Sequence, residues 1–174
     1  MQRLTGDNLA ATASSQQALS LFRDVPHSFS EAAYPLNELG LVQQLTGDYP
    51  AAAASHQQAL TLNRDRGNRT GQAETLNCLG ELASRTADGR QARDHDAQAL
   101  AIARDLGTPL EEARALEGTG RSHLRDGHAS EGTACLRQAL AIYQRIGSPA
   151  ARRVQQALRD QHARQDSLTP APER

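Results

Sequence analysis

The sequence repeats itself every 40 residues. The segments "QQAL" at 57–60, "AQAL" at 97–100 and "RQAL" at 137–140 keep this period, and so do "LNELG" at 36–40, "LNCLG" at 76–80 and "LEGTG" at 116–120. Gly67, Gly107 and Gly147 follow the same spacing. A fixed period of 20–50 residues is typical of a chain that stacks copies of one helical or strand unit. The sequence therefore predicts a repeat array.

Each repeat has the pattern of two helices. Apolar or small residues recur at spacings of three and four, and Gly107 follows the last turn of a helix as a C-terminal cap would. The segment Thr108-Pro109-Leu110-Glu111 has the form of a capping box, with proline at the first helical position. These signals predict helices over 7–24, 29–45, 49–65, 70–86, 90–106, 109–126, 129–146 and 149–164.

The composition limits the kind of core and the class of partner. Hydrophobic residues make up 38% of the 174 residues and aromatic residues 3%, without tryptophan, so the core must consist mainly of Leu and Ala. Such a core favours helix-on-helix packing. The formal net charge is -1, which gives no reason to expect direct nucleic acid binding. The sequence predicts no membrane span and no leader, and its two cysteines form no CxxC motif, so we expect a cytoplasmic protein.

Candidate chemical groups are sparse. The densest cluster is Asp94-His95-Asp96, but neighbours on a helix point about 100° apart and do not converge on one metal ion. Position 96 matches His56 and Leu136 in the adjoining repeats, so we interpret it as a helix-packing position and the cluster as a solvated polar face. No known catalytic or phosphate-binding motif occurs. We expect no catalytic residue, no metal and no cofactor, and hence no enzyme.

The repeat resembles the tetratricopeptide repeat family. The middle unit places Leu76, Leu79, Gly80, Ala83, Asp88, Ala92, Ala99 and Leu100 at the signature positions of that family, with units of 40 rather than 34 residues. The resemblance implies an all-α, right-handed superhelical solenoid of antiparallel helix pairs, closed by a C-terminal capping helix. It also places Gly80 and Gly120 where the two helices of a unit cross closely.

The register divides the chain into four parts. Residues 28–147 form three helix-pair repeats, 148–165 a capping helix, and 166–174 a disordered tail. The segment "LTGD" occurs at 4–7 and again at 45–48, where it ends the first helix of a unit. Residues 1–27 are therefore predicted to be a truncated repeat that retains only its second helix. We expect a fragment of a longer protein that can form a homo-oligomer through this N-terminal end.

The first helices of the units are predicted to line a concave groove that binds a protein or peptide partner. By register with the family, the groove residues are Tyr34, Asn37, Leu41, Gln44, Glu74, Asn77, Glu81, Arg85, Arg114, Glu117, Arg121 and Arg125. The alternative interpretation is an ordinary polar helix face. Asn37 and Asn77 are equivalent, and we expect both to face solvent and to hold an extended peptide by its main chain.

The resemblance also suggests a biological setting. The units are similar to the C-terminal repeat regions of actinobacterial ATPase-type and antibiotic-pathway transcriptional regulators. This implies a non-enzymatic protein-interaction or sensor module within a larger regulator. The alternative is a repeat receptor for a small peptide or other ligand that controls another domain. The sequence does not identify the partner.

Overall fold

Seven helices account for the part of the chain that the computed structural model describes, residues 33–168, with side chains to residue 164. They are α1 (Ala33–Thr46), α2 (Tyr49–Asp65), α3 (Arg69–Arg85), α4 (Gly89–Leu106), α5 (Pro109–Arg125), α6 (Ala129–Arg145) and α7 (Ala150–Leu168). No strand occurs in this part of the chain. The bounds of α2 to α6 agree with the predicted bounds to within one residue. The last helix extends beyond its predicted end at 164.

The helices stack in chain order. Each helix packs against the next one, and the first helices of consecutive units, α1, α3 and α5, also contact one another. This is the predicted right-handed solenoid of antiparallel helix pairs, with α7 packed on α6 as the capping helix. The all-α fold class is confirmed. The predicted helix 7–24 and the truncated repeat 1–27 lie outside the described residues.

The core consists of leucine and alanine, as the composition requires. One cluster of buried residues comprises Leu60, Leu76, Leu79, Ala99 and Ala115, and a second comprises Ala113, Leu116, Leu136, Ala139, Tyr143 and Val154. Small side chains allow the helix axes to come close together, so that each residue excludes water through contact with several neighbours. The second cluster joins α5, α6 and α7, and it is the apolar surface on which the capping helix rests.

Side chains in the turns between helices stabilise the helix starts. Asp48, Asn68 and Asp88 accept hydrogen bonds from main-chain N–H groups three residues later. The capping box expected at Thr108 is wrong. The Thr108 hydroxyl instead donates to the Ala103 carbonyl at 3.3 Å, which also accepts from the main-chain N–H of Thr108.

The turns share one backbone conformation every 20 residues. Gly47, Gly67, Gly107, Gly127 and Gly147 have φ between 63° and 84°, and the sixth member of the series is Ala87 with φ 64°. This left-handed region suits glycine because a side chain there crowds the following carbonyl. Both helices of a unit thus end in the same way, and Ala87 is the one strained member among the described turns.

We expect Ala87→Gly to stabilise the protein. The substitution removes the steric cost of the left-handed conformation, and the net gain in the free energy of unfolding should be about 0.5–1 kcal/mol. The reciprocal control Gly107→Ala should lower the free energy of unfolding by a similar amount. Urea denaturation of both variants checks this, and equal stability of Ala87→Gly and the wild type would show that the turn is unstrained.

Candidate functional site

Glycine forms the contact between the two helices of each unit. An ideal Cβ at Gly40 would lie 2.5 Å from Cε1 of His56, and one at Gly120 would lie 2.9 Å from Cγ of Leu136. A Cβ at Gly80 would overlap Oδ1 of Asp96. The predicted close crossing at Gly80 and Gly120 is therefore confirmed. We name the space that each of these glycines leaves between the two helices the glycine cradle. In three successive units it holds the imidazole of His56, the carboxylate of Asp96 and the isobutyl group of Leu136.

In the first unit the cradle holds a satisfied polar network. His56 is fully buried; its Nδ1 lies 2.8 Å from Oδ1 of Asn37 and its Nε2 lies 3.0 Å from Nε2 of Gln44. A neutral ring donates to Asn37 and accepts from Gln44 in this geometry. Burial, together with the charge of Arg114, lowers the pKa of His56 to about 4. The ring is neutral at physiological pH and supports the fold.

The expectation that Asn37 and Asn77 face solvent is wrong. Their exposed fractions are 3% and 4%, and that of Gln44 is 6%. The stacked units cover them, because Asn37 Nδ2 donates to Sγ of Cys78 at 3.6 Å in the next unit. Asn77 Nδ2 donates to the carbonyl and to Oε2 of Glu111, at 3.1 and 2.7 Å. These amides therefore link successive units.

In the second unit the cradle holds a carboxylate without a hydrogen-bond donor. Asp96 is 3% exposed, and no group within residues 33–168 donates a hydrogen bond to it. Its other side faces Gly118, where a Cβ would lie 2.5 Å from Oδ2. Burial raises the pKa of Asp96 to about 7, against the opposing charge of Arg125. The interpretation of Asp96 as part of a solvated face is wrong, although Asp94 is exposed.

A cavity of about 310 Å³ lies above this carboxylate. We name it the Asp96 cavity; its lining residues come from α3, α4, α5 and α7 and are Asn77, Gly80, Glu81, Ser84, Arg85, Asp96, Arg114, Glu117, Gly118, Arg121 and Arg153. Six of the twelve predicted groove residues belong to it: Asn77, Glu81, Arg85, Arg114, Glu117 and Arg121. The structure thus brings half of the predicted set into one concave site.

The other six predicted groove residues do not line the cavity. Tyr34 is 64% exposed near the start of α1, and Leu41 is half-buried. Asn37 and Gln44 belong to the His56 network. Glu74 is half-buried, and burial, with the nearby charge of Glu111, raises its pKa. Arg125 is exposed and donates to the Ser84 carbonyl at 2.9 Å, next to the cavity.

Ion pairs hold most of the charged side chains of the Asp96 cavity. Glu117 is 5% exposed and accepts from Arg121 and Arg153, at 3.0 and 2.7 Å, and from the Tyr143 hydroxyl at 3.1 Å. Burial alone would raise the pKa of Glu117, but the hydrogen bonds and charges of the two arginines lower it below its usual value. This residue joins α5 to α6 and α7.

The remaining pairs each lie within one helix, α3 or α5. Arg85 contacts Glu81 at 3.0 Å one turn away on α3, and Arg114 contacts Glu111 at 3.3 Å. Arg114 also donates to Sγ of Cys78 at 3.4 Å. Each arginine that lines the cavity therefore has a carboxylate partner, whereas Asp96 has none.

A second acceptor in the cavity also lacks a donor. Oδ1 of Asn77 is buried and makes no hydrogen bond. In the first unit the equivalent oxygen of Asn37 accepts a hydrogen bond from Nδ1 of His56. The repeat places Asp96 where His56 stands, so a carboxyl group replaces the imidazole donor. The lining of the cavity consequently contains one buried acceptor without a donor, Asn77 Oδ1, and the carboxyl group of Asp96.

Some residues of the Asp96 cavity were not predicted from the sequence as site residues, and they include Asp96, Gly118 and Arg153. The match of position 96 to His56 and Leu136 was the available signal for Asp96, since it placed the carboxylate between helices. Gly118 occupies the position of Cys78, and its missing side chain opens the cavity. Arg153 lies in the capping helix, outside the repeat register, so no periodic signal pointed to it.

Outside the cavity, the two cysteines and the possible metal ligands of the described residues were the remaining candidates for chemistry. Cys78 is buried and Cys135 is half-buried, and burial raises the pKa of both thiols. They remain protonated at neutral pH, as is typical of thiols that serve packing and not reactivity. Among the described residues, no group of three His, Cys, Asp or Glu side chains could hold a metal ion. None of the described helices is long and apolar enough to cross a membrane.

Comparisons with known proteins agree with this architecture. Residues 36–70 match the family model for the tetratricopeptide repeat. The sequence matches no curated protein. Among solved structures, the chain is similar to the crystal structure of BtubC (BKLC) from P. vanneervenii, with a TM-score of 0.71 at 15% identity, over 99% of this chain and 80% of that one. At this identity the likeness shows the fold alone. Residues 36–70 therefore match one tetratricopeptide repeat, and the helix pairs stacked upon this segment continue the same architecture as far as α7.

Proposed function

We propose that this chain is a non-enzymatic protein-interaction module that binds a partner segment on its concave face. Tetratricopeptide repeats generally mediate protein–protein interaction. The observation that carries the proposal for this chain is the Asp96 cavity, a recess of about 310 Å³ lined by charged side chains from the first helices α3 and α5. Stacked helix pairs create extended concave surfaces of this kind.

The setting we propose is the repeat region of a larger, cytoplasmic bacterial regulator. The support is the similarity of the 40-residue units to the C-terminal repeats of antibiotic-pathway and ATPase-type transcriptional regulators. In that setting the module contacts a protein and leaves DNA to other parts of the regulator, since its net charge is -1. The partner then acts through the solenoid on another domain.

A second function is a receptor for a small ligand. The observation that favours it is the size of the cavity, because about 310 Å³ lies at the lower end of the range for small-molecule sites. A ligand there would contact α3, α4, α5 and α7 at once. Such a ligand would stabilise the stacking of two units and thereby control a neighbouring domain.

Selection of peptides from a random display library tests the interaction function. We expect peptides that bind this chain and that lose at least tenfold in affinity when Glu81→Ala and Arg85→Ala are combined. The side chains of Glu81 and Arg85 are 51% and 48% exposed and pair with each other. Their removal should therefore change the free energy of unfolding little. Isothermal titration calorimetry measures the affinities.

The matched control is the double variant Arg90→Ala with Arg145→Ala. These arginines are exposed on the second helices α4 and α6, away from the cavity. We expect their removal to change affinity less than twofold at physiological salt, where distant exposed charges are screened. If the control pair abolishes binding and the Glu81/Arg85 pair does not, the concave site is the wrong surface.

A further inference from the structure

We propose that the Asp96 cavity binds a primary ammonium group that is carried next to a carboxylate. This inference rests on the proposed function, since it names the chemistry of the group that the concave face receives. The ammonium would contact Asp96 and Asn77 at the bottom of the cavity. The carboxylate would meet the arginines closer to solvent.

The bottom of the cavity requires a donor. Asp96 and Asn77 are 3% and 4% exposed, and both line the cavity. The orientation of the Asn77 amide is fixed, because its Nδ2 donates to two oxygens of Glu111. Its Oδ1 therefore remains an acceptor without a donor. A buried acceptor left unpaired is unfavourable, and a ligand that donates to it and to the Asp96 carboxylate removes that cost.

The shape of the site favours an ammonium group. An ammonium has three N–H donors on one compact atom, so it can reach a carboxylate and an amide oxygen together. A guanidinium is planar and larger, and its fork of donors matches the two oxygens of one carboxylate, whereas this site combines a carboxylate with an amide oxygen. The positive charge also stabilises the ionised form of Asp96, which has no counterion in hydrogen-bond contact.

The charges around the cavity require a nearby anion on the ligand. Four arginines line it, Arg85, Arg114, Arg121 and Arg153, and the charge of Arg125 also acts on Asp96. The carboxylates against them are Glu81, Asp96 and Glu117 in the lining and Glu111, which pairs with Arg114. A lone cation would face this excess of positive charge. A ligand with a carboxylate beside its ammonium brings the opposite charge to the arginines. The side chains of Arg121 and Arg153 are 44% and 62% exposed, so a ligand can reach them.

Two sources can supply this chemistry. One is a lysine side chain within an acidic segment of a protein partner, and the other is a free amino acid. The volume of about 310 Å³ admits either group and no large ligand. Capped acetyl-Glu-Lys-Glu-amide represents the first source, and L-alanine represents the second.

The experiment follows amide chemical shifts of the 15N-labelled chain by NMR during titration with each probe. The matched probes, acetyl-Glu-(Nε-acetyl-Lys)-Glu-amide and N-acetyl-alanine, lack the ammonium charge. We expect shifts at Asn77, Asp96 and Gly118 with a charged probe only. Asp96→Asn should weaken binding at least tenfold, whereas Asp94→Asn, on the same helix but exposed, should leave it unchanged.

Binding should also depend on pH. Because the ligand needs ionised Asp96, and burial holds the pKa of that group at about 7, affinity at pH 6 should be about tenfold weaker than at pH 8. Asp96→Asn should remove this dependence. The other charged groups around Asp96 on the helices packed against it are Glu81 and Arg85 on α3, Arg114, Glu117, Arg121 and Arg125 on α5, and Arg153 on α7.

Each result decides something. Binding of the tripeptide alone assigns the site to a protein side chain, and binding of alanine alone assigns it to a small zwitterion. If neither charged probe binds, or the acetylated probes bind equally well, the ammonium site does not exist. Display-selected peptides that still bind through Glu81 and Arg85 would then show that the interaction function stands without it.

Discussion

Asp96→Asn should stabilise the protein at pH 8 and do so far less at pH 4. The carboxyl group has an ordinary pKa of 3.8 and a pKa of about 7 in the folded chain, so the folded state binds more protons between these values. Stability therefore falls as pH rises from about 4 to 7. The asparagine removes this loss, and the gain in the free energy of unfolding should reach about 4 kcal/mol at pH 8. Urea denaturation at both pH values measures it.

His56 contributes to the pH dependence of stability with the opposite sign, and this contribution can be measured in Asp96→Asn. Its pKa is lowered from 6.5 to about 4, so the folded state binds fewer protons in this range and stability rises with pH. In the wild type the slopes due to His56 and Asp96 oppose each other between pH 4 and 6.5. In Asp96→Asn the histidine slope remains, and the free energy of unfolding should rise by about 3 kcal/mol over that interval.

Asp94→Asn is the control for these measurements, because its carboxylate is exposed on the same helix. It should leave the pH profile of stability as in the wild type. Equal stability of Asp96→Asn and the wild type at pH 8 would mean that a donor satisfies Asp96 in the free protein. The cavity would then have one fewer unsatisfied acceptor.

Glu117→Ala should destabilise the protein by about 2–4 kcal/mol and loosen the capping helix. The change removes a buried carboxylate that accepts from Arg121, Arg153 and the Tyr143 hydroxyl. The two arginines are partly exposed and can turn to water. The Tyr143 hydroxyl is buried and loses its acceptor, which accounts for most of the cost. Thermal denaturation measures the loss of stability, and hydrogen exchange of the α7 amides reports its location.

Tyr143→Phe is the partner control. It removes the hydroxyl but keeps the aromatic ring in the core of α5, α6 and α7, so it should cost about 1 kcal/mol, less than Glu117→Ala. Protection of the α7 amides should then stay close to that of the wild type. If Glu117→Ala leaves both stability and α7 exchange unchanged, the ion pairs with Arg153 do not anchor the capping helix.

The fold was predictable because period and capping signals act locally. Gly107 takes the left-handed conformation that ends α4, and Pro109 begins α5, as the sequence predicted. The capping box at Thr108 failed because its hydroxyl bonds to the end of the preceding helix, five residues earlier, and not to a main-chain N–H of α5. A motif of four residues specifies the possible donors and acceptors, while the neighbouring helix decides which of them pair.

The site was predictable only in part, because burial depends on the next unit in the stack. The register correctly placed Asn77 on a first helix, but its depth is set by Glu111 on another unit. Asp96 was correctly assigned to a helix-packing position and wrongly assigned to solvent. The distinction depends on Gly80 and Gly118 both lacking side chains on either side of the carboxylate, which requires the three-dimensional arrangement of two units.

The glycine cradle also sets where the array is weakest. Contacts run only between helices that are near in sequence, so the solenoid behaves as a row of coupled layers whose stability is nearly a sum of local terms. In two layers the glycine cradle is filled by the hydrogen-bonded imidazole of His56 or by Leu136. In the central layer it is filled by the ionisable carboxylate of Asp96. We expect opening above pH 7 to begin at this central layer and to divide the solenoid into two halves. A ligand bound in the Asp96 cavity would contact both halves and stabilise their stacking.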